Sequence, residues 1–415
     1  ASFTSNTSYF DRKIVYEWDN MYYEQYKDSY YGYYAYYGYG YPIYNSQYTF
    51  GRYLNDQNQD RFAQEFRLAS QSDSRLQWMA GLFYEDVHDD WYYGSINEQL
   101  MDTTAWYAAQ YYAYYFNYYG YPVDYPLAPT IIGYSNILDR DVEQTSIFGE
   151  ISFDINDKWR LVGGARWFEY DRYHFTQNQF PEGVPPWGSQ ETDGIYISES
   201  KTSDTLWKFS AQYQFDEDKM VYFLFSQGFR LGGSNSLRAA NTGLVPLEYD
   251  PDFLDNYELG IKTEWLDNRL LLNATLFYMD WQDYQENSTT DVWWLRGTLN
   301  AADADVTGIE IQGTFLFTEN FSMDYSFTFA DPKWSESFVF PCNCDDPDVI
   351  QKGMPLPTSP KRKGFLAFDW NFPGAFGTDN VFLRYDISFQ SKTWNNLTSI
   401  INEDETGIMD SWNLS

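Results

Sequence analysis

Residues that commonly carry catalysis are few in this sequence. The 415 residues include two histidines, His88 and His174, and two cysteines, Cys342 and Cys344. Two histidines offer too few candidates for a Ser-His-Asp set, in which an imidazole takes the proton of the nucleophile. His88 ends a predicted strand before "DDW" and His174 lies in "DRYHF", so both are interpreted as lumen or rim residues. The sequence therefore predicts no enzyme.

Motifs that would hold a metal or a cofactor are incomplete. Cys342 and Cys344 form a C-x-C without a nearby histidine, which favours an oxidised pair or two free thiols over a metal site. The stretch "CDDPD" offers hard oxygens to a cation, but the spacing of an EF-hand is missing. "RLGGSN", which begins at Arg230, lacks the G-K-[ST] ending of a phosphate-binding loop. We therefore expect no metal and no cofactor, and a backbone bend at the two glycines.

Tyrosine-rich stretches offer recognition chemistry instead. "MYYEQYKDSYYGYYAYYGYGYPIYNSQY" begins at Met21, and "WYAAQYYAYYFNYYGYPVDYPL" begins at Trp106. Tyrosine combines a large ring with a hydroxyl at a small cost in side-chain entropy, which suits stacking on sugar rings or flat aromatic chelators. Packed or partly disordered loop tips are the alternative. The candidate ligand-contacting residues are Tyr33, Tyr36, Tyr111, Tyr114, Tyr118, Arg230, Trp293 and Trp294.

Alternation of apolar and polar residues defines the elements that must position these loops. Every second residue from Trp207 to Phe215 is apolar, and the pattern recurs from Phe321 to Phe329. Alternation of this length predicts strands, about 14 in total, and an all-β fold. Short polar turns are predicted near 71–74, 156–158, 216–219, 266–268, 318–320 and 372–379. Long connections are predicted at roughly 18–58, 93–140, 176–202, 231–253, 287–302, 335–358 and 392–409.

The opposite faces of these strands indicate the architecture. The chain carries 40 Tyr, 32 Phe and 16 Trp, which is typical of a transmembrane β-barrel with aromatic girdles. Strands of about 12 to 18 residues also exceed the usual length in globular sheets. We expect a transmembrane antiparallel β-barrel with short periplasmic turns and long extracellular loops, rather than a soluble sandwich. Its lumen-facing residues are then Lys208, Gln212, Glu258, Lys262, Gln312, Asp324 and Arg384.

The net charge of the chain restricts the classes of molecule that it can bind. The formal charge is -33, from 27 basic and 60 acidic residues. Such a chain repels a polyanion, which argues against nucleic acid. No run of about 18 apolar residues is present, so no transmembrane helix is predicted. We expect an acidic lumen, which together with aromatic loops fits a neutral or cationic ligand better than an anionic one.

Five strings resemble one known family. "VYFLFSQGFRLGGSN" has the aromatic strand and the G-F-[KR]-x-G-G ending of TonB-dependent outer-membrane receptors. "NYELGIKTEWLDNRLLLNATLFYMD" is similar to the N-Y-E-L-G-x-K strand, the short D-[GN]-R-L turn and the following L-N-x-x-x-F-Y-x-x-D strand of that family. The other three are "QEFRLASQSDSRLQWMAGLFYE", "FGEISFDINDKWRLVGGARW" and "NAADADVTGIEIQGTF". The five occur in order across most of the chain, and all of them belong to the barrel.

The resemblance implies a barrel of about 22 strands with a plugged lumen. Residues 1–415 are then interpreted as a partial barrel domain, without the N-terminal plug domain and the C-terminal strands. The implied protein is a receptor in the outer membrane of a Gram-negative bacterium. Its implied partners are outer-membrane lipid, the TonB complex acting through the plug, and a small-molecule iron chelate. We expect uptake of a ferric siderophore or another iron complex. Uptake of glycans or cobalamin, and a passive porin, are the alternatives.

Overall fold

The computed structural model describes residues 1–21, 51–72, 74–120, 123, 125–179, 195–289, 296–341, 349–377, 379–394 and 408–414. These residues are mostly strands. None of the helices among them is long and apolar enough to cross a membrane.

Fourteen strands form one sheet, which agrees with the number predicted from alternation. They are β1 (Ser2–Asp19), β2 (Gly51–Ala69), β3 (Leu76–Asn97), β4 (Ile132–Asp154), β5 (Trp159–Gln179), β6 (Ile195–Asp216), β7 (Lys219–Arg230), β10 (Asp252–Trp265), β11 (Leu270–Gln282), β14 (Ala304–Thr318), β15 (Phe321–Trp334), β18 (Arg362–Pro373), β19 (Asn380–Trp394) and β20 (Ile408–Leu414).

Smaller elements lie in the connections between these strands. Three two-stranded ladders pair β8 (Gly233–Ser234) with β9 (Glu248–Tyr249), β12 (Gln285–Thr289) with β13 (Arg296–Asn300), and β16 (Phe338–Val339) with β17 (Val349–Ile350). The helices are α1 (Thr104–Tyr118) and α2 (Leu237–Ala240), with 3₁₀ turns at Leu100–Asp102 and Ala375–Gly377.

Each strand of the large sheet pairs antiparallel with the strand before it. Short turns lie where the sequence predicts them. In the turn between β10 and β11, the φ angles of Leu266, Asp267 and Asn268 are 59°, 56° and 64°. Asp and Asn adopt this left-handed region more readily than most residues. Polar turn residues therefore close the hairpins at one end of the sheet.

Several strands extend further into the predicted connections than alternation indicates. β2 begins at Gly51, β3 ends at Asn97 and β6 begins at Ile195. Asn, Asp, Ser and Gly in these segments favour turns locally. In the fold their backbone groups instead continue the ladder, as where Asn55 pairs with Tyr93. Pairing with a distant strand overrides the local preference.

Pairing register separates the large sheet into two faces. The aromatic face carries large apolar side chains such as Trp78, Phe209 and Leu276, which are 37%, 44% and 55% exposed. The polar face carries residues such as Glu150 and Lys208, whose strands are linked through Gly164. An apolar surface of this extent on the wall of a sheet is typical of contact with lipid.

The long connections pack into small apolar cores at the end opposite the short turns, which we call the loop end. One core contains Trp334, Ile350, Phe340, Leu356 and Leu299. The other lies under α1, whose Ala109 and Ala113 are one turn apart and face Leu100 and Leu127. Thr103 begins this helix, since its hydroxyl accepts a 3.2 Å hydrogen bond from the Trp106 N–H.

Candidate ligand-binding face

All seven residues predicted to face the lumen lie on the polar face. Paired residues share a face, and a step of two residues along a strand returns to it. The register connects them through four rows: Lys208, Ser226 and Asn256; Gln212, Tyr222 and Gly260; Lys262, Asn273, Gln312 and Ser326; and Ser322, Asp369 and Arg384. Glu258 lies two residues from Asn256, and Asp324 lies two residues from Ser326.

Ion pairs hold the outermost of these charges against the wall. The Lys208 ammonium lies 2.8 Å from a carboxylate oxygen of Glu150. The Arg384 guanidinium donates to Asp369 and to Asp386, each at 2.9 Å. Two cations thus face three carboxylates, so these pairs leave one negative charge unbalanced.

A cavity of about 260 Å³ lies in the middle of the polar face, beside Lys262, Asn273 and Gln312. The hydroxyl of Tyr222 lies 3.3 Å from Glu258 and 3.0 Å from Thr275, and the Lys262 ammonium lies 5.7 Å from its ring. The cavity is smaller than the 300–1,000 Å³ usual for ligand sites. Asp324 accepts a 2.7 Å hydrogen bond from Thr314 nearby.

A larger groove of about 500 Å³ crosses β2 to β5 on the same face. Arg67 pairs with Glu65 at 2.6 Å, and Arg61 pairs with Glu85. The Arg166 guanidinium lies 5.5 Å from the ring of Phe83. Three guanidinium groups against two carboxylates make this groove slightly basic, although the chain as a whole is strongly acidic.

The acidic excess lies on the aromatic face rather than the polar face of β2 to β5, so the expectation of an acidic lumen does not hold there. On the polar face arginines and carboxylates are nearly equal in number: Arg61, Arg67, Arg140, Arg160, Arg166 and Arg172 against Glu65, Glu85, Asp89, Glu150 and Asp154. The aromatic face carries mostly carboxylates beyond its apolar part: Asp56, Asp60, Asp86, Asp90, Asp139, Asp141, Glu143, Glu169 and Asp171.

The two histidines lie on opposite faces. His88 is on the aromatic face and His174 is buried on the polar face near the loop end. Arg172, one step along the same face from His174, donates a 2.8 Å hydrogen bond to Ser234 and another to the Gly232 carbonyl. Arg172 thus ties β5 to the connection after β7.

Amide and aromatic side chains form a row across the polar face at the loop end. We call Tyr16, Asn55, Tyr93, Asn136 and Asn178 the amide row, because each pairs with the next across β1 to β5. Asn55 donates a 2.8 Å hydrogen bond to the Tyr16 hydroxyl, and Asn136 donates a 2.7 Å bond to Asn178. The row joins five strands through neutral polar groups.

Aromatic rings continue the amide row toward the loops. Trp18 and Tyr53 lie with ring centroids 5.2 Å apart, and Tyr53 lies 4.9 Å from Tyr93. Tyr93 in turn is 6.1 Å from Tyr134, whose hydroxyl donates a 3.0 Å bond to Asn178. These spacings are typical of interacting aromatic rings. Rings and amides together give a surface that combines stacking with hydrogen bonding.

Two atoms of the amide row have unmet hydrogen-bonding capacity. Asn55 and Asn178 are 1% and 2% exposed. Among the described residues, Oδ1 of Asn55 and Nδ2 of Asn178 have no hydrogen-bond partner. A buried polar atom without a partner costs about 1–3 kcal/mol. Both atoms are closed off from solvent, so the row and its adjoining rings are most exposed at Tyr16 and Trp18, which are 45% and 38% exposed.

Arg230, a candidate from the sequence, lies at the centre of a second cluster at the loop end. Its guanidinium is 4.6 Å from the ring of Trp281 and 4.9 Å from the ring of Tyr284. It also forms a bidentate ion pair with Asp252, which is fully buried. Asp252 further accepts a 3.0 Å bond from the Gln285 N–H. The pair thus anchors the start of β12 to the wall.

Glu286 is a buried carboxyl group beside this cluster. It is 7% exposed, and burial raises its pKa to about 7 although Arg230 and the Asn287 N–H lower it. The folded state then binds a proton that the unfolded state releases near pH 4.5. The stability of the β12–β13 hairpin should therefore fall by about 2–3 kcal/mol as pH rises from about 4.5 to 7, and stay level above it.

We expect Glu286→Gln to remove this pH dependence and to stabilise the hairpin at pH 8. Hydrogen exchange of the β12–β13 amides, corrected for intrinsic rates, measures the stability of the hairpin at each pH. Glu336→Gln, at an exposed loop position, is the matched control and should keep the wild-type profile. An unchanged profile in Glu286→Gln would contradict the assignment.

Only some of the tyrosine candidates lie among the described residues. Tyr114 and Tyr118 are 46% and 71% exposed on α1 and stack with centroids 6.4 Å apart. Tyr111 lies 4.7 Å from Tyr115 on the same helix. The helix lies in the connection between β3 and β4, whereas Arg230 is the last residue of β7. The candidates Tyr33, Tyr36, Trp293 and Trp294, and the cysteines Cys342 and Cys344, lie outside the described residues.

Sequence reasoning did not identify the amide row. Asn55, Tyr93, Asn136 and Asn178 lie in segments predicted to be long connections. Continued alternation of Asn and Tyr past the apolar part of each strand was the available signal. The row itself depends on the register of five strands.

Comparison with known proteins defines the class. The chain matches the family model "TonB dependent receptor-like, beta-barrel" over residues 1–414. It therefore belongs to this family of TonB-dependent receptors, whose members lie in the outer membrane of Gram-negative bacteria. The predicted transmembrane antiparallel β-barrel is confirmed.

Two similar relatives are receptors. The chain is 27% identical over 196 residues to the pesticin receptor of Yersinia enterocolitica, which covers 47% of this chain and 27% of that protein. It is 22% identical over 236 residues to the probable TonB-dependent siderophore receptor PiuA of Acinetobacter baumannii, which covers 55% and 29%. The chain thus matches less than a third of the length of each.

Two solved structures have the same fold. The ferric yersiniabactin uptake receptor FyuA from Yersinia pestis has a TM-score of 0.60 at 16% identity, with 88% of this chain and 48% of that chain covered. The siderophore receptor PiuA from Acinetobacter baumannii has a TM-score of 0.60 at 15% identity, with 94% and 52% covered. The chain spans about half of each structure.

Proposed function

We propose that this chain forms the wall of an outer-membrane receptor that imports a ferric siderophore. The aromatic face lies against lipid, and the polar face lines the lumen with Lys208, Gln212, Glu258, Lys262, Gln312, Asp324 and Arg384. The proposal includes the plug domain and the TonB partner that the family implies. In this proposal, residues 1–415 supply strands of the wall.

Ligand class is proposed from the relatives. The protein from Acinetobacter baumannii is named as a probable siderophore receptor, and the solved structure from Yersinia pestis is that of a ferric yersiniabactin uptake receptor. These names favour a ferric siderophore over glycans or cobalamin for this chain.

The observation that carries the proposal is the amide row with its adjoining aromatic rings. Siderophores present carbonyl, hydroxyl and aromatic chelating groups, which bind by hydrogen bonds and stacking. The exposed Tyr16 offers a hydroxyl, which Asn55 holds in place, and Trp18 and Tyr53 offer rings. The near balance of charge on this part of the polar face is compatible with a chelate of low net charge.

Energy-dependent iron uptake tests the proposed function. The full-length receptor containing this chain is produced in a Gram-negative host that lacks its own siderophore receptors. Accumulation of radioactive iron from a panel of ferric siderophores of different charge is measured with and without TonB. We expect TonB-dependent uptake, strongest for chelates of low net charge. Uptake that does not require TonB would favour the passive channel, and uptake of glycan or cobalamin alone would contradict a siderophore.

Asn178→Leu tests the contact surface. Asn178 is buried and accepts hydrogen bonds from Asn136 and from the Tyr134 hydroxyl, so the substitution frees both groups of the surface. A hydrogen bond to a ligand that is lost in this way costs about 1–1.5 kcal/mol, so we expect the Kd for the transported siderophore to rise about tenfold. Asn58→Leu is the control, because Asn58 is exposed on the opposite face of β2. Titration of both purified variants by tryptophan fluorescence measures the Kd. Equal affinities for the two variants would remove the amide row from the binding surface.

A further inference from the structure

A sharp boundary divides the aromatic face of β3 and β4. On β3, the long apolar run ends at Tyr84, and Asp86, His88 and Asp90 follow on the same face before Tyr92. A strand rises about 3.3 Å per residue, which places His88 about 13 Å beyond Tyr84. These three residues therefore form a polar band past the long apolar run, toward the loop end.

Carboxylates face each other across β3 and β4 in this region. Asp90 pairs directly with Asp139, and Asp86 pairs with Glu143. Like charges at directly opposed positions destabilise a sheet. Among the described residues, no lysine or arginine forms an ion pair with Asp90 or Asp139, and both carboxylates lie near His88. His88 offsets part of this repulsion, and a bound metal ion would offset more of it.

His88 is oriented as a metal ligand. Its Nδ1 lies 2.6 Å from Oδ1 of Asp141, and its Nε2 lies 3.4 Å from Oδ2 of Asp90. Histidines that bind metals usually donate one ring N–H to a carboxylate and bind with the other nitrogen. Asp141 fills the first position and leaves Nε2 facing Asp90.

The third group is Asp139. Its Oδ1 lies 3.8 Å from Nδ1 of His88, on the side of the ring that Asp141 contacts. This oxygen is shielded from solvent and has no hydrogen-bond partner among the described residues. Ligand atoms of His88, Asp90 and Asp139 all lie within 4.8 Å of one another. A tetrahedral site with bonds of about 2.1 Å separates its ligand atoms by about 3.4 Å. Binding at Nε2 therefore requires Asp139 to rotate toward that nitrogen, which its 42% exposed side chain allows.

We propose that His88, Asp90 and Asp139 bind a divalent transition-metal ion on the aromatic face, and that Asp141 is a positioning residue for His88. One imidazole with carboxylates suits Zn²⁺, Co²⁺, Ni²⁺ or Mn²⁺ better than Mg²⁺, which prefers oxygen ligands alone. The ion joins β3 to β4 and neutralises carboxylates that face the headgroup region. It lies on the face opposite the proposed ligand surface, so it is independent of siderophore binding.

Co²⁺ and Zn²⁺ titration of the full-length receptor tests the proposal. The detergent-solubilised protein is stripped with a chelator, and Cys342 and Cys344 are replaced by serine to remove thiol binding. We expect one Co²⁺ per receptor with visible absorption typical of a low-coordinate site, and competition by Zn²⁺. His88→Ala should lower the affinity more than 100-fold. Asp141→Asn should lower it about 10–100-fold, as loss of an orienting carboxylate does.

Matched variants distinguish specific metal coordination from non-specific attraction of cations to the acidic surface. Asp86→Asn removes a carboxylate two residues from His88 on the same strand face and should change the affinity less than threefold. The chelator should lower the Tm of the wild type but not of His88→Ala. The proposal is overturned if His88→Ala binds Co²⁺ like the wild type, if Asp86→Asn weakens binding equally, or if millimolar Mg²⁺ displaces the ion.

Discussion

Residues 1–415 produced on their own are expected to form no closed, heat-resistant barrel. β1 pairs with β2 and β20 pairs with β19, and among the described residues neither strand has a second partner. Each unpaired backbone group in hydrocarbon costs several kcal/mol, so spanning strands occur in closed sheets. An edge as long as β1 would therefore cost tens of kcal/mol in lipid.

Electrophoretic mobility before and after heating measures this expectation. A closed barrel runs differently when unheated, because it resists unfolding by detergent. The full-length receptor containing these residues is the control and should show the shift. A heat-dependent band for residues 1–415 alone, at the monomer or dimer position, would contradict the expectation.

Asp252→Ala is expected to release the β12–β13 hairpin from the wall. The substitution leaves the Arg230 guanidinium and the Gln285 N–H without the acceptor they share. Breaking a buried ion pair costs about 3–5 kcal/mol, but Arg230 is partly exposed and regains hydration, so we expect about 2–3 kcal/mol. Hydrogen exchange of residues 285–289 and 296–300 should increase accordingly, while exchange in β4 and β5 stays unchanged.

Two further variants test whether loss of the Arg230–Asp252 ion pair causes the increased exchange. Asp250→Ala removes an exposed carboxylate two residues away and should change exchange little. Asp252→Asn keeps an acceptor but loses the charge, so its effect on exchange should fall between those of Asp250→Ala and Asp252→Ala. Protection of the hairpin in Asp252→Ala equal to that in the wild type would show that the apolar core around Trp334 holds the hairpin without the ion pair.

Much of the fold was predictable because it depends on local patterns. Alternation along segments such as Trp207 to Phe215 gave the strands, and polar clusters such as Asp216 to Lys219 gave the turns. Because alternate residues of a strand lie on the same face, the sequence also placed Lys262 and Arg384 on the polar face. The ends of the strands were not predictable, because Asn55 and Asn178 favour turns locally and become strand residues through pairing.

The candidate surfaces were harder to predict. Arg230 was identified from its motif, but its partner Asp252 and the buried Glu286 lie in other parts of the chain. Likewise, the net charge of -33 suggested an acidic lumen, whereas the acidic excess over β2 to β5 lies on the opposite face. Composition sums charges over the whole chain and carries no information about the face on which each charge lies.

By itself the sequence determined the class of fold, the positions of the hairpins and the resemblance to TonB-dependent receptors, since periodicity and motifs are properties of adjacent residues. Only the tertiary structure decided which side chains meet. The amide row, the Arg230–Asp252 pair and the cluster around His88 each join residues from different strands. The register of hydrogen bonds between strands sets those contacts, and a shift of one residue would turn each side chain to the other face.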